Sequence, residues 1–147
     1  MNTFTHFFIE KNVFGLEEPI QLDGVGLLKA KLDTGNGAFN VLHGTDVEIN
    51  GNVARFVTDK GIAIEKPVHD TITINVGAGN KEDRPVVLFD VVFGHKKFKG
   101  VPFSIGNRAE NTHKVLIGKN FIQNELDALI DVSLSHVAKH NLEAEYD

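Results

Sequence analysis

Apolar residues along this chain recur with a period of two far more often than with a helical period. Ile72, Ile74 and Val76 alternate with Thr71, Thr73 and Asn75, the spacing of a strand with one face buried. Residues 86–93 form an apolar run broken only by Asp90, which predicts a more deeply buried strand. Asn50-Gly51 separates the apolar-containing stretches 47–49 and 53–57. It predicts a two-residue hairpin, because a type I′ turn needs positive φ at both central positions. Lys60-Gly61, Gly77-Ala78-Gly79 and Gly94-His95 mark further turns, and Gly24-Val25-Gly26 opens a strand running through Leu32. Helical spacing is confined to Phe121, Ile122, Leu126 and Leu129, with Asn120 as the candidate cap. Residues 128–132 then predict a closing strand. Short strands at regular spacing with one helix predict a mainly β domain, a closed β-barrel with one short C-terminal helix.

The chain has 147 residues, enough for one domain with a sizeable core. The reading is a single domain over residues 1–135 and a polar tail over 136–147. A formal charge of -5 argues against a nucleic-acid partner. The basic run His95-Lys96-Lys97-Phe98-Lys99 reads as a solvated hairpin tip. There are no cysteines, so disulfides, thiolate metal sites and cysteine nucleophiles are all excluded. No basic leader followed by an apolar run opens the sequence, and no apolar stretch reaches membrane-spanning length. The expectation is a cytoplasmic protein with no membrane partner.

One short motif carries chemistry. The strand ending in Leu32 runs straight into Asp33-Thr34-Gly35. On its own this tripeptide is an ordinary turn, since Asp and Thr bond locally and Gly takes positive φ. Much further along comes His113-Lys114-Val115-Leu116-Ile117-Gly118-Lys119-Asn120-Phe121-Ile122, an apolar strand, a glycine, a polar pair and the start of the helix. Together the two segments resemble the retropepsin-like aspartic peptidases, in which an Asp-Thr-Gly loop is supported by a later apolar-apolar-Gly-Arg segment.

Within that class the chain is most similar to the RimB-like group, labelled ATP-dependent zinc proteases and associated with ribosomal-protein modification. The shared stretches are residues 30–35, Leu42-His43-Gly44, Glu82-Asp83-Arg84-Pro85-Val86-Val87, and residues 116–120 with Asn107-Arg108 shortly before them. Two positions depart from the group's pattern. Asn36-Gly37 follows the tripeptide where Ala is usual, and Lys119 stands where Arg is usual. A lysine cannot reproduce the planar fork of a guanidinium.

The resemblance implies an aspartic endopeptidase. Two carboxylates about 3 Å apart share one proton, and one activates water while the other protonates the carbonyl oxygen. The chain holds one Asp-Thr-Gly and no second copy. The second Asp33 then comes from another copy of the chain, in a two-fold homodimer. Asp33 is the expected catalytic residue. Thr34 holds the two loops in register and Gly35 permits close backbone approach. Gly118, Lys119 and Asn120 support the loop. The stretch 73–84, with Gly77 and Gly79 at its tip, is the candidate flap over a peptide or protein substrate, or a glutamate-modified tail.

The label's zinc and ATP find no residues. The seven histidines show no His-Glu-x-x-His spacing, His43 being the one near the loop, and no phosphate-binding glycine motif is present. No metal and no cofactor are expected. A glycosidase pair from Glu65, Asp70, Glu82 or Asp83 has nothing linking it to Asp33, and no serine sits in a nucleophile elbow. The alternative to a peptidase is a binding or structural module that keeps the fold without turnover.

Overall fold

The computed structural model describes residues 12–138. Their strands, in order, are β1 (Asn12–Phe14), β2 (Glu17–Leu22), β3 (Gly26–Asp33), β4 (Asn40–His43), β5 (Thr45–Asn50), β6 (Val53–Val57), β7 (Ala63–Pro67), β8 (Asp70–Gly77), β9 (Asn80–Phe93), β10 (Lys96–Gly106), β11 (Val115–Gly118) and β12 (Ala128–Ile130). One helical turn, Phe121–Glu125, lies between β11 and β12. The chain is mainly β, as its period-two patterning predicts.

A seven-stranded sheet runs in the order β10-β4-β11-β3-β2-β9-β8, and β10 also pairs with β9. The order of neighbours therefore returns on itself, leaving β8 as an outer edge. A three-stranded sheet, β5-β6-β7, and a parallel pair, β1-β12, complete the fold. β9 is the long member because it serves three partners. Its outer half pairs with β8, its inner half pairs with β10, and Val91 and Val92 reach β2.

Burial explains the patterns. Val86, Val87, Phe89, Val91 and Phe93 of β9 are buried, which is why that strand reads as a continuous apolar run. Asp90 is turned to solvent, where it accepts the Gly100 N–H at 2.9 Å beside a register slip in β10. In β8 the alternation weakens outward: Ile72 and Ile74 are half-buried, and Val76 is exposed. Edge-to-face ring pairs join Phe14 to Phe93, Phe89 to Phe103 and Phe98 to Phe121, a geometry that suits the aromatic quadrupole. The basic run 95–99 caps the β9–β10 hairpin with His95, Lys96, Lys97 and Lys99 in solvent.

Three local expectations need correction. The β5–β6 hairpin exists, but Asn50 pairs with Val53, so its central residues are Gly51 and Asn52. Positive φ occurs at Gly51 and not at Asn52, which is the II′ pattern rather than I′. The C-terminal helix is one wide turn, closed by the Leu126 N–H on Phe121 O five residues back. Asn120 does not cap it: the residue is itself helical and its side chain makes no capping bond. Of the stretch that the sequence marks as a polar tail, residues 136–138 lie against β2. The His136 N–H bonds Glu17 O at 2.8 Å and Ala138 is buried. The rest of that stretch, 139–147, lies outside the described residues.

Candidate active site

β3 delivers Asp33 to its position. Ala30 and Leu32 are buried along one face, and the strand ends as Asp33 emerges half-buried. β11 then inserts between β3 and β4. It runs parallel to β3 with Gly118 beside Asp33, and antiparallel to β4 with Leu116 beside Val41. The two segments that the sequence reading linked across the chain are thus neighbours in one sheet.

The turn after Asp33 is held from within. Asp33 Oδ1 accepts the Gly35 N–H at 3.1 Å, and its carbonyl accepts the Asn36 N–H at 3.1 Å, an Asx-type turn. Thr34 and Gly35 are exposed. Asn36 braces the turn: its Oδ1 accepts the Ala38 N–H at 2.9 Å and its Nδ2 donates to Phe39 O at 3.0 Å.

β11 clamps this turn from the other side. The Lys119 N–H bonds Asn36 O at 2.9 Å. A Cβ on Gly118 would lie 3.0 Å from Asn36 O and 3.3 Å from Ala38 O, so glycine lets two backbones approach. The Gly118 N–H goes to the buried Asn40 Oδ1 at 2.8 Å, while Asn40 Nδ2 donates to Pro102 O at 3.2 Å. One side chain therefore ties β4, β10 and β11 together under the loop. The Lys119 side chain runs over Gly37, whose added Cβ would lie 3.5 Å from its Cε. Asn120 is exposed and points to no partner in the loop.

Other residues of the shared stretches gather near the loop in the structure. Arg108 is half-buried, within electrostatic reach of Asp33 and Arg84. Burial and the Arg84 charge push its pKa down, and the Asp33 carboxylate opposes them. Its Nε donates to His113 O at 2.9 Å and its backbone N–H to His43 Nδ1 at 2.8 Å. Lys114 Nζ donates to the carbonyls of Arg108, Ala109 and Asn111, at 3.0, 3.0 and 2.7 Å. Residues 107–114 are in effect wrapped around one ammonium. His43 is buried, and desolvation is the main cause holding its pKa below the usual 6.5. Because Nδ1 accepts, the neutral ring carries its proton on Nε2, and Nδ1 is committed to the Arg108 N–H.

Arg84 stands at the base of the β8–β9 hairpin, opposite Ile72. Its guanidinium lies on Gly106, where a Cβ would come within 2.6 Å of it, and it bonds Glu82 Oε2 at 3.1 Å. The tip of that hairpin takes positive φ at Gly77, Ala78 and Gly79, and an added Cβ at either glycine meets nothing within 4 Å. Gly77 and Gly79 are therefore at an open tip, and Arg84 brings the hairpin's base to the site. Among the described residues no group of three His, Cys, Asp or Glu side chains is arranged to hold a metal. No helix there is long and apolar enough to cross a membrane.

A family model described as RimB-like, retropepsin-like aspartic endopeptidase RimB, matches residues 13–141. No curated protein matches the chain. Among solved structures, a Legionella pneumophila protein described as being of unknown function (DUF785) aligns with a TM-score of 0.71 at 23% identity, covering 88% of this chain and 99% of its own. At that identity the likeness is one of fold.

Proposed function

The chain belongs to the RimB-like family of retropepsin-like aspartic endopeptidases, and on that premise we propose that it hydrolyses peptide bonds with a pair of Asp33 carboxylates, one from each copy in a two-fold homodimer. The observation that carries the reading is Asp33 itself, set at a strand end with Gly118 as its sheet neighbour and its Oδ1 in an Asx turn. In this reading the circuit of strands acts as a closed barrel that presents the loop to its partner copy.

One Asp33 is ionised and the other protonated, because two carboxylates about 3 Å apart cannot both carry charge. The ionised one removes a proton from water as the oxygen attacks the peptide carbonyl, and the other gives its proton to the carbonyl oxygen. Proton return to the amide nitrogen then breaks the C–N bond. Thr34 bridges the two loops at the axis, Gly35 admits close approach, and Gly118, Lys119 and Asn36 hold the turn. The β8–β9 hairpin, with Gly77 and Gly79 at its tip, covers the substrate. Arg108, within electrostatic reach of Asp33, and Arg84, which adds its charge next to Arg108, favour an acidic peptide such as a glutamate-modified tail.

A second reading, a module that binds without turnover, draws on Lys119: its side chain makes no hydrogen bond to the loop among the described residues, where the usual Arg would fork two. Asp33→Asn separates the two. On the peptidase reading it abolishes cleavage of an oligoglutamate-tailed peptide with the fold intact. Undiminished cleavage sinks that reading, and a strictly monomeric mass by light scattering at every concentration sinks the shared dyad.

A further inference from the structure

The stretch after β12 lies across β2 like a strap, and two adjacent glutamates fasten it. The Leu16 N–H bonds Leu134 O at 2.9 Å, and a Cβ on Gly15 would lie 2.2 Å from that same oxygen, so the crossing requires glycine. Glu18, fully buried, accepts the N–H groups of Gly15, Val137 and Ala138 at 2.7, 3.0 and 2.8 Å. Glu17 points to the opposite face, as strand alternation demands. Its two oxygens divide between two histidines: Oε1 is 2.9 Å from His113 Nε2 and Oε2 is 2.6 Å from His136 Nε2. His136 takes a left-handed φ of 57°, a conformation that a residue with a Cβ adopts only where its surroundings hold it there.

His113 does not end the path, because its carbonyl holds Arg108 Nε at 2.9 Å. A continuous line of bonds thus runs from His136 in the strap, through Glu17 and His113, to the arginine beside Asp33. A carboxylate is the group this node needs. It offers an acceptor oxygen to each of two imidazole N–H donors, while an amide of the same shape offers one acceptor and two further donors. Lys31 lies opposite Glu17 in β3 and Glu18 faces away from it.

We propose that Glu17 is a positioning residue: through His113 it holds residues 107–114 so that Arg108 stays beside Asp33, and through His136 it makes that hold depend on the docked strap. Its effect on turnover rests on the peptidase reading above; the mechanical coupling does not.

The test compares amide hydrogen exchange in the full chain, in Glu17→Gln and in His136→Asn, the last chosen because Asn tolerates left-handed backbone. Val137 and Ala138 report the strap. Arg108 and Asn111, whose N–H groups bond His43 Nδ1 and Arg108 O, report the loop. Both variants are expected to exchange about tenfold faster at the strap amides and several-fold faster at both loop amides. They are also expected to raise KM for an oligoglutamate peptide with a smaller change in kcat. Faster strap exchange with unchanged loop exchange reduces Glu17 to a staple and overturns the proposal, as does no change at either place. If the parent chain cleaves nothing, the peptidase reading fails, and the loop amides still decide the coupling.

Discussion

Asn40→Ala is the substitution whose cost follows most directly from the structure. It removes one acceptor and one donor at once. The Gly118 N–H loses its 2.8 Å partner at a buried position, and Pro102 O loses its 3.2 Å partner. An orphaned buried N–H costs about 1–3 kcal/mol, and a lost neutral hydrogen bond about 0.5–1.5 kcal/mol. The sum is about 2–4 kcal/mol, a large share of the roughly 5–15 kcal/mol that stabilises a domain. With a mid-range urea slope of about 2 kcal/mol per molar, the midpoint falls by about 1–2 M. The chain has no tryptophan, so far-ultraviolet circular dichroism is the probe, at one fixed protein concentration in case assembly contributes. Asn40→Asp sharpens the test. It keeps an acceptor for Gly118 and faces Pro102 O with a second oxygen, so it is expected to be destabilised at neutral pH and to recover in acid, where the protonated carboxyl can donate. A loss under about 0.5 kcal/mol for Asn40→Ala, or equal behaviour of the two variants at every pH, refutes the idea that this side chain carries the β4–β11 junction.

Other expectations concern glycines and pH. Gly15→Ala sets a Cβ against the backbone of Leu134 and Ser135, which cannot yield cheaply, so a loss of about 3 kcal/mol is expected in the same urea assay. Gly106→Ala meets only the Arg84 guanidinium, a movable side-chain end. Stability should change by under about 1 kcal/mol, while binding of an acidic peptide, followed by calorimetry, weakens several-fold. His43 and Glu17 both contribute to the acid limb of thermal stability. His43 is held neutral in the fold below its usual 6.5, so the unfolded chain binds the extra proton and stability drops as pH falls below 6.5. Glu17 is held below 4.5, chiefly by its His136 bond. Its contribution is complete above that value and is lost as pH falls through the lower folded value. Melting temperatures between pH 2 and 8 should show both declines in turn, and Glu17→Gln should blunt only the later one.

Much of this arrangement was legible in the chain. Alternation at Ile72 and Ile74, the Asp90-broken run of β9 and the glycine turns all report burial at single positions, and burial is what patterning encodes. The Asp33 and Gly118 segments were recognisable because their chemistry is tied to short motifs. What patterning cannot encode is which strand lies beside which. That Gly118 is the lateral neighbour of Asp33, with β4 on its other side, depends on pairings between residues far apart in sequence. The same limit hid Asn40, a polar residue that reads as a loop position yet is buried under the site, and Glu17 and Glu18, which look like an ordinary charged pair. Arg84, Arg108 and His43 were present in the motif stretches, but only the fold sets Arg108 between the Arg84 and Asp33 charges with its N–H on His43 Nδ1. The hairpin turn slipped by one residue because Asn50 is as good a strand end as a turn residue once Thr45–Asn50 pairs with Val53–Val57.

The threading of β11 between β3 and β4 also fixes an order of events during synthesis. Asp33 leaves the ribosome early, with its tripeptide complete, but its neighbour in the sheet is Gly118. At about 5–20 residues per second the intervening stretch takes roughly ten seconds to make. Throughout that interval the nascent chain carries the motif without the seat that shapes it, and β4 can meet only β10 among its eventual partners. A truncated product ending between residues 36 and 114 would keep Asp33-Thr34-Gly35 and lack the strand that braces it. The fold thereby acts as its own timer, withholding the shaped aspartate until nearly all of the domain has been translated.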